Sequence, residues 1–319
     1  MSIEEMKTNS RVRKLVKETE RANRTKGRHM SLSKQRRLSN TVIYIILTIL
    51  VIVWLIPFFF LLLDSLKCDV AADGVTRVTW QSDNIFPRKW GFDNYVDLFT
   101  RTSFFRWFTN TTIVGLATAV LQTGMVLLMS YTLSRLRFRG RKFLMNFMLI
   151  LGMFPGFLSM ILLYKLLSDW GMTQQNSIVG LILVYCASSG MGYYISKGFF
   201  DTIPRSLDEA ARIDGATRAQ VFGKIILPLS KPILIYTILT AFMAPWGDFM
   251  FASYIAHSTD IGKNVAVGLR DLISTSSGMA DHYTWFCAGG VIVAIPITIL
   301  FMLLQRYYVE GVTGGAVKG

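Results

Sequence analysis

The chain has 319 residues, of which 52% are apolar and 17% are charged. Soluble proteins carry about 45–50% apolar and about 25% charged residues, so this composition excludes a water-soluble enzyme as the expected class. The formal net charge of +14 raises nucleic acid as an alternative partner until the charges are located. Three widely separated cysteines, Cys68, Cys186 and Cys287, predict neither a disulfide framework nor a zinc site.

Six stretches of the chain contain no charged residue. A helix needs about 20 apolar residues to cross the hydrocarbon core of a membrane. Five stretches meet this length, and Pro232–Gly247 meets it if its helix passes Asp248 and continues to Phe251. We therefore predict an all-α polytopic membrane protein with six transmembrane helices: Thr41–Leu63, Thr111–Ser134, Phe143–Tyr164, Trp170–Ser196, Pro232–Gly247 and Trp285–Gln305.

The basic residues are distributed unevenly between the connections. Segments 1–40, 135–142, 197–231 and 306–319 hold 25 of the 34 Lys and Arg residues, whereas the other connections hold 9. Because Lys and Arg resist translocation, the first group is predicted to lie in the cytoplasm, with both termini inside. The chain is thus divided into a basic cytoplasmic N-terminal segment (1–40), a transmembrane domain (41–305) and a cytoplasmic C-terminal tail (306–319).

The N-terminal segment 1–40 accounts for 12 of these basic residues. No aromatic residue is interleaved with them, so the segment lacks the stacking platform of a nucleic-acid-binding arm. We interpret it as an anchor that touches anionic lipid headgroups, and we expect no nucleic acid partner. The apolar run after it is too long for a cleaved signal peptide and is expected to remain as the first span.

The predicted cytoplasmic connection 197–231 begins with the pattern of a short helix. Ser206 and Glu209 have the spacing of a capping box, in which each side chain bonds the other residue's backbone N–H. Gly215 has the freedom to take the left-handed conformation that ends a helix.

A second short helix is predicted directly after it. Thr217 and Gln220 repeat the capping-box spacing, and Pro228 and Pro232 bracket the entry into the fifth span. The spacing alone leaves two interpretations open. The connection is either an amphipathic hairpin on the membrane surface or a rigid element that binds a partner, since small alanines allow a close backbone approach.

The same connection carries a family motif. Glu209-Ala-Ala-x-x-Asp214-Gly215, followed after nine residues by Ile225-x-Leu227-Pro228, resembles the EAA motif of ABC importer permeases. Three further segments are similar to the smaller, six-helix permease of the maltose/maltodextrin type: Met153–Tyr164, Leu227–Ser230 and Glu310–Gly319. The resemblance covers all but the basic N-terminal segment and the 64–110 connection.

The resemblance implies that the first helix of this connection docks in a cleft of a cytoplasmic ABC ATPase and transmits its movement. Glu209 would pair with a basic residue of the ATPase, Ala210 and Ala211 would pack into the cleft, and Gly215 would make the turn. The ATPase-coupling residues implied in this way are Glu209, Ala210, Ala211, Asp214, Gly215, Ile225, Leu227 and Pro228.

The resemblance also implies partners and a location. These are a second homologous permease subunit, an ABC ATPase dimer, an extracytoplasmic sugar-binding protein, membrane lipid and an oligosaccharide substrate in a bacterial cytoplasmic membrane. Maltose or maltodextrin as the substrate rests on resemblance alone. Multiple-sugar, raffinose-type and glycerol-phosphate permeases are alternatives, and a self-contained secondary carrier is a further one.

The chain contains no sequence pattern for nucleotide hydrolysis. The phosphate-binding pattern Gly-x-x-x-x-Gly-Lys is absent, so ATP and Mg are expected on a separate ATPase subunit and this chain is expected not to be an enzyme. The histidines His29, His257 and His282 are never spaced as a ligand pair, so no metal site and no cofactor of its own are predicted.

Few polar residues lie at membrane depth. Asp248 is the one acid there, next to Trp246, and an acid in this position usually faces a bundle interior or an aqueous path. The alternative is a shallow Asp248 in the headgroup region that needs no partner. We predict Asp248, Trp246 and Asn146 as translocation-path residues.

Two outer connections are distinguished by composition and position. The 64–110 connection is rich in aromatic residues, which favours a collar at the membrane interface over a contact with the binding protein. The 254–284 connection follows Asp248, so it is the better candidate for that contact.

Overall fold

The computed structural model describes residues 14, 17–18, 32–68, 86, 89–153, 156–188, 190–256 and 259–316. Most of the basic segment 1–40 and the stretch 69–85 of the aromatic-rich connection lie outside these residues, so the predictions for them stay predictions. In the described part of the chain the secondary structure is helical, with one isolated antiparallel bridge between Lys67 and Trp90. The predicted all-α fold is confirmed.

Fourteen helices are numbered here in chain order, over the described residues. They are α1 (Leu32–Ser65), α2 (Asp93–Arg101), α3 (Phe104–Arg135), α4 (Arg141–Gly152), α5 (Gly156–Asp169), α6 (Ser177–Ala187), α7 (Gly190–Thr202), α8 (Ser206–Ile213), α9 (Arg218–Val221), α10 (Leu227–Leu229), α11 (Lys231–Gly247), α12 (Met250–Ala256), α13 (Val265–Leu272) and α14 (Ser276–Ala316). A π-helical turn, Phe222–Ile226, joins α9 to α10.

Three helical segments are long and apolar enough to cross a membrane: Ser39–Ser65, Phe104–Arg135 and Asp281–Gln305. Two more candidates are bent pairs, Gln174–Ala187 with Gly192–Thr202 at 41° and Arg218–Leu229 with Lys231–Gly247 at 82°. The third predicted span is divided between α4 and α5, on either side of residues 154–155. The described residues thus provide three to five spans, and the count of six stays a prediction.

The chain divides into two units, residues 1–60 and 61–319. In the first unit every side chain described from residue 39 onward is exposed. Apolar residues surround this part of α1 on all sides, which is typical of a membrane-spanning helix.

In the second unit α3 packs against α6, α7, α11 and α13. Small side chains permit its close approach to α11. A Cβ added at Gly115 would lie 3.1 Å from the carbonyl oxygen of Phe242, and the Thr118 hydroxyl donates to the carbonyl of Ala241 at 3.2 Å. Small residues serve helix packing within membranes in this way because lipid supplies no hydrophobic driving force between helices.

Three clusters of buried side chains each include residues of α3. Trp107 belongs to the first, Val114 to the second and Leu127 to the third. The third cluster also contains five residues of the 197–231 connection, which are Phe200, Ile203, Ala211, Val221 and Ile226. The connection is therefore built into the packed unit at one end of α3.

The prediction that the fifth span continues as a helix past Asp248 is wrong. α11 ends at Gly247, Asp248 has an extended conformation (φ −79°, ψ 100°), and α12 begins at Met250. The Asp248 carboxylate accepts a hydrogen bond from the backbone N–H of Phe251 at 3.0 Å. An acid that satisfies a free N–H at the start of a helix stabilises a new helix start, so a break is favoured here.

Candidate functional site

α8 is the first short helix within the 197–231 connection after the end of α7, and it ends as the sequence predicts. Gly215 has φ +84°, the left-handed conformation that glycine adopts without steric cost. The backbone N–H of Ala216 donates to the carbonyl of Ala211 at 2.9 Å, which satisfies one of the free carbonyls at the helix end. The predicted turn at Gly215 is confirmed.

The predicted capping box between Ser206 and Glu209 is not formed. Ser206 is already helical, and the N-cap position falls on Arg205, whose φ of −69° and ψ of −21° are helical too. The backbone N–H of Glu209 donates to the carbonyl of Arg205 at 3.1 Å. Because the turn after Pro204 starts the helix one residue early, Ser206 cannot take the extended conformation that a capping residue needs.

The second predicted capping box is present. The backbone N–H of Thr217 donates to the Gln220 side chain at 2.8 Å, and the backbone N–H of Gln220 donates to the Thr217 hydroxyl at 3.3 Å. Thr217 is extended, with φ −71° and ψ 159°. The turn at Gly215 brings the chain to Thr217 in the conformation that the box requires.

The Ile225-x-Leu227-Pro228 part of the motif lies at a sharp corner. The π-helical turn Phe222–Ile226 widens the helix, and the chain then bends by 82° before α11. Ser230 is completely buried at this corner and donates from its hydroxyl to the carbonyl of Ile226 at 2.7 Å. Single π-turns inside helices occur frequently at functional sites.

The two alanines of the motif lie in different environments. Ala211 is 8% exposed and belongs to the third core cluster, whereas Ala210 is exposed. The prediction that both alanines pack into a partner therefore needs correction, because Ala211 is already buried against Phe200 and Val221 of its own chain.

The outward surface of α8 is formed by Ser206, Glu209, Ala210 and Ile213, which are spaced three and four residues apart. Ile213 is 86% exposed, and Glu209 is exposed beside it. Asp214 and Pro228 are exposed as well, while Ile225 and Leu227 are half-buried. A large apolar side chain beside an unpaired acid is a typical protein-contact surface.

A buried arginine attaches α8 to the bundle, and the sequence analysis did not identify it. The Arg135 side chain, at the end of α3, is 4% exposed and lies 3.3 Å from the Asp208 carboxylate. It also donates to the carbonyls of Phe200 at 3.0 Å and Ile203 at 2.8 Å, at the end of α7. One guanidinium therefore joins α3, α7 and α8.

Neighbouring polar side chains reinforce this junction. The Ser134 hydroxyl donates to the Asp201 carboxylate at 2.5 Å, and Lys197 donates to the same carboxylate at 2.5 Å. Arg205 donates to the carbonyl of Ser134 at 3.3 Å. Charge-assisted bonds are stronger than neutral ones, so this end of the bundle is rigid where α8 begins.

The three residues predicted for a translocation path lie in different environments. Asp248 has partners within the chain, since the Tyr185 hydroxyl donates to its carboxylate at 2.5 Å. Trp246 is 3% exposed and packs against Phe108 with ring centres 5.3 Å apart. Its place on a translocation path stays a prediction. Asn146 is exposed on α4.

The segment between α12 and α14 is hydrogen-bonded to three helices. Asn264 is fully buried and donates to the carbonyls of Pro245 at 3.0 Å and Asp248 at 2.7 Å. Asn110 donates to the carbonyl of Lys263 at 2.8 Å, and the Ser177 hydroxyl donates to that of Gly262 at 2.7 Å. This segment is therefore a fixed part of the bundle.

Lys263 belongs to the same segment, is largely covered, and forms two ion pairs, with Asp260 at 2.7 Å and Asp271 at 2.9 Å. Partial burial lowers the pKa of Lys263, but its hydrogen bonds to the two carboxylates outweigh this and raise the pKa above its usual value.

We expect Asn264→Ala to destabilise the protein strongly. The change removes three hydrogen bonds, including the one that the Asn264 carbonyl accepts from Val267 at the start of α13. Each unsatisfied buried group costs about 1–3 kcal/mol, so the temperature of unfolding in detergent should fall by several degrees. Thr259→Ala, at the less buried edge of the segment, is the matched control and should change it little. An unchanged unfolding temperature for Asn264→Ala would contradict the assignment.

Among the described residues, no group of three or more His, Cys, Asp or Glu side chains is placed to hold a metal ion. The cysteines Cys68, Cys186 and Cys287 are buried free thiols.

Fold and surface together define a helical, membrane-embedded protein with a rigid, exposed helix at one end of the bundle. Residues 126–314 match the family described as the binding-protein-dependent transport system inner membrane component. The chain belongs to this family. The family is a membrane permease component of ABC importers rather than their catalytic subunit, so ATP hydrolysis falls to a separate protein.

Relatives matched over most of their length support the assignment. The chain is 36% identical to the maltodextrin transport system permease protein MdxG of Bacillus subtilis, over 91% of this chain and 100% of that protein. It is 36% identical to the galactooligosaccharides transport system permease protein GanQ of the same species, over 75% of this chain and 84% of the relative. The maltose/maltodextrin-type resemblance is thus confirmed.

A solved structure has the same fold. A bacterial ABC transporter involved in the import of the acidic polysaccharide alginate matches with a TM-score of 0.71 and 22% identity, over 88% of this chain and 99% of that chain.

Proposed function

We propose that this chain is the permease subunit of an ATP-driven importer of oligosaccharides, and that maltodextrins are its substrates. The observation that carries the proposal is α8, a helix held rigidly by Arg135 that presents Glu209 and Ile213 outward. The relatives are named as permeases for maltodextrins, galactooligosaccharides and arabinooligosaccharides, and this supports oligosaccharides as the substrate class.

In this proposal α8 is the coupling helix. Glu209 pairs with a basic residue of a cytoplasmic ABC ATPase, and Ala210 and Ile213 pack against the same subunit. ATP and Mg are bound there. Because Arg135 ties the coupling helix to α3 and α7, a rigid-body movement of the ATPase reaches the spans without being absorbed.

The complete importer would contain a second homologous permease subunit, an ATPase dimer and an extracytoplasmic sugar-binding protein. The fixed segment between α12 and α14 is the proposed contact for the binding protein. A neighbour in fold was solved in complex with a pentasaccharide-bound periplasmic protein, with a TM-score of 0.56.

A panel of labelled sugars tests the substrate class. Cells that express the full transporter should accumulate maltotriose and longer maltodextrins, and an excess of unlabelled maltodextrin should suppress this uptake. Galactooligosaccharides and arabinooligosaccharides serve as the competing panel members. Uptake of one of these with no uptake of maltodextrins would refute the maltodextrin assignment and leave the permease assignment standing.

We propose a bacterial cytoplasmic membrane location with both termini inside, on the basis of the basic residues. Single cysteines at the exposed positions Arg137 and Ala210 should be shielded from a membrane-impermeant thiol reagent in intact cells, whereas one at Thr100 should react. The three native cysteines are buried and give little background. Labelling of position 210 from outside would reverse the proposed orientation.

A further inference from the structure

A cavity of about 440 Å³ lies between the end of α3, the start of the following segment, α8 and α9. Five arginines line it, namely Arg135, Arg137, Arg205, Arg212 and Arg218. The acidic side chains at its wall are Asp208 and Glu209.

The positive charge of this arginine cavity is compensated only in part. Asp208 is taken up by the ion pair with Arg135, and Arg205 donates to a backbone carbonyl. Among the described residues, Arg137, Arg212 and Arg218 form no ion pair. Five arginines against two carboxylates leave a surplus of three positive charges around one cavity.

Such a surplus favours an anionic ligand. Like charges gathered around a partly enclosed space repel one another more strongly than they would in bulk water. Arginine forms paired hydrogen bonds with the oxygens of a phosphate, in a geometry that its planar guanidinium matches.

The position of the cavity indicates where the phosphate comes from. Arg135 is the last residue of Phe104–Arg135, a helix long and apolar enough to cross a membrane, so its end places the cavity at the membrane edge. Tyr131 and Leu136 form a less polar part of the cavity wall, on the side of α3. Arg212 and Asp208 lie on one strip of α8 and Ile213 lies on the outward surface, with Glu209 at the border between the two, so an occupied cavity leaves Ala210 and Ile213 free.

We infer that the arginine cavity binds a phosphate group at the membrane edge, and that the headgroup of an anionic phospholipid supplies it. The lipid headgroup would bridge α8 and the end of α3, next to the ion pair between Arg135 and Asp208. The inference goes beyond the proposed transport function and does not depend on which sugar is carried.

Native mass spectrometry of the purified full-length chain, incubated with equal amounts of phosphatidylglycerol and phosphatidylcholine, tests this inference. Wild type should retain phosphatidylglycerol selectively, and Arg212→Gln/Arg218→Gln should lower that retention by at least about fivefold. Both side chains are exposed, so the variant is expected to fold. The control Lys142→Gln/Lys224→Gln removes the same charge outside the cavity and should leave retention unchanged. Arg212→Lys/Arg218→Lys keeps the charge without the paired geometry and should retain an intermediate amount.

A second arm distinguishes the source of the phosphate. If inorganic phosphate raises the unfolding temperature of wild type but not of Arg212→Gln/Arg218→Gln, while phosphatidylglycerol is not preferred, the site stands and its ligand is a free phosphate. Equal lipid retention by all variants with no effect of phosphate would overturn the inference. So would unchanged lipid retention combined with loss of the ATPase subunit, because the arginines would then bind acidic residues of that partner.

Discussion

Glu209→Lys is expected to abolish ATP-driven transport and release the ATPase subunit, with the chain still inserted in the membrane. Glu209 is exposed on the outward surface of α8, and the absence of a capping box removes the role of its side chain as a helix cap. Leaving a desolvated interfacial charge unpaired costs roughly 2–5 kcal/mol, and a reversed charge adds repulsion. The measurement is the amount of ATPase retained on the tagged chain after gel filtration.

Two companion variants separate pairing from local helix stability. Ser206→Ala removes an exposed hydroxyl that caps nothing, so it should change stability by no more than about 0.5 kcal/mol and leave the ATPase bound. Glu209→Gln should fall between Ser206→Ala and Glu209→Lys. Retention of the ATPase by Glu209→Lys at the wild-type level would contradict the pairing, whereas rescue by an acidic substitution on the ATPase would locate the partner residue.

Arg135→Gln is expected to lower the free energy of unfolding by about 3–5 kcal/mol, because it leaves the Asp208 carboxylate without its cation. The carbonyls of Phe200 and Ile203 lose their shared donor as well. Since the same guanidinium ties α8 to α3 and α7, any transporter that still assembles should hydrolyse ATP with little transport. Thermal unfolding in detergent and the number of sugars moved per ATP are the two measurements.

Arg139→Gln is the matched control for this loss. Arg139 is four residues away from Arg135 but exposed, so its removal changes the same formal charge without opening the junction. It should leave both readouts near wild type. If Arg135→Gln unfolded at the wild-type temperature and kept its coupling, the role of the junction would be refuted.

The sequence was sufficient to predict those parts of the structure that depend on a local pattern of residues. Apolar run length predicted the helical membrane architecture, and the turn at Gly215 and the capping box at Thr217 depend on a few consecutive residues. The Ser206 box failed because Pro204 and Arg205 already form a helical turn, and local spacing does not reveal which of two adjacent residues leads the helix.

Long-range polar contacts were beyond sequence reasoning. Arg135 stands in a run of basic residues that looks like ordinary positive-inside charge, and only tertiary packing buries it beneath α8. Asn264 similarly bonds carbonyls near the end of α11, 19 and 16 residues earlier, and nothing in its neighbourhood singles it out. Asp248 was predicted as a functional residue from the sequence. Its capping of α12 and its hydrogen bond to Tyr185 could be found only from the folded structure.

Uptake of labelled oligosaccharide into proteoliposomes tests most directly whether this chain works as a coupled permease. The vesicles would contain the full transporter or this chain alone, each with and without ATP in the compartment that the ATPase faces. We expect uptake only from the full transporter, only with ATP on that side, and none when Glu209→Lys replaces the wild-type chain. Uptake by the chain alone, driven by a sugar or ion gradient without ATP, would contradict the account and identify a self-contained carrier.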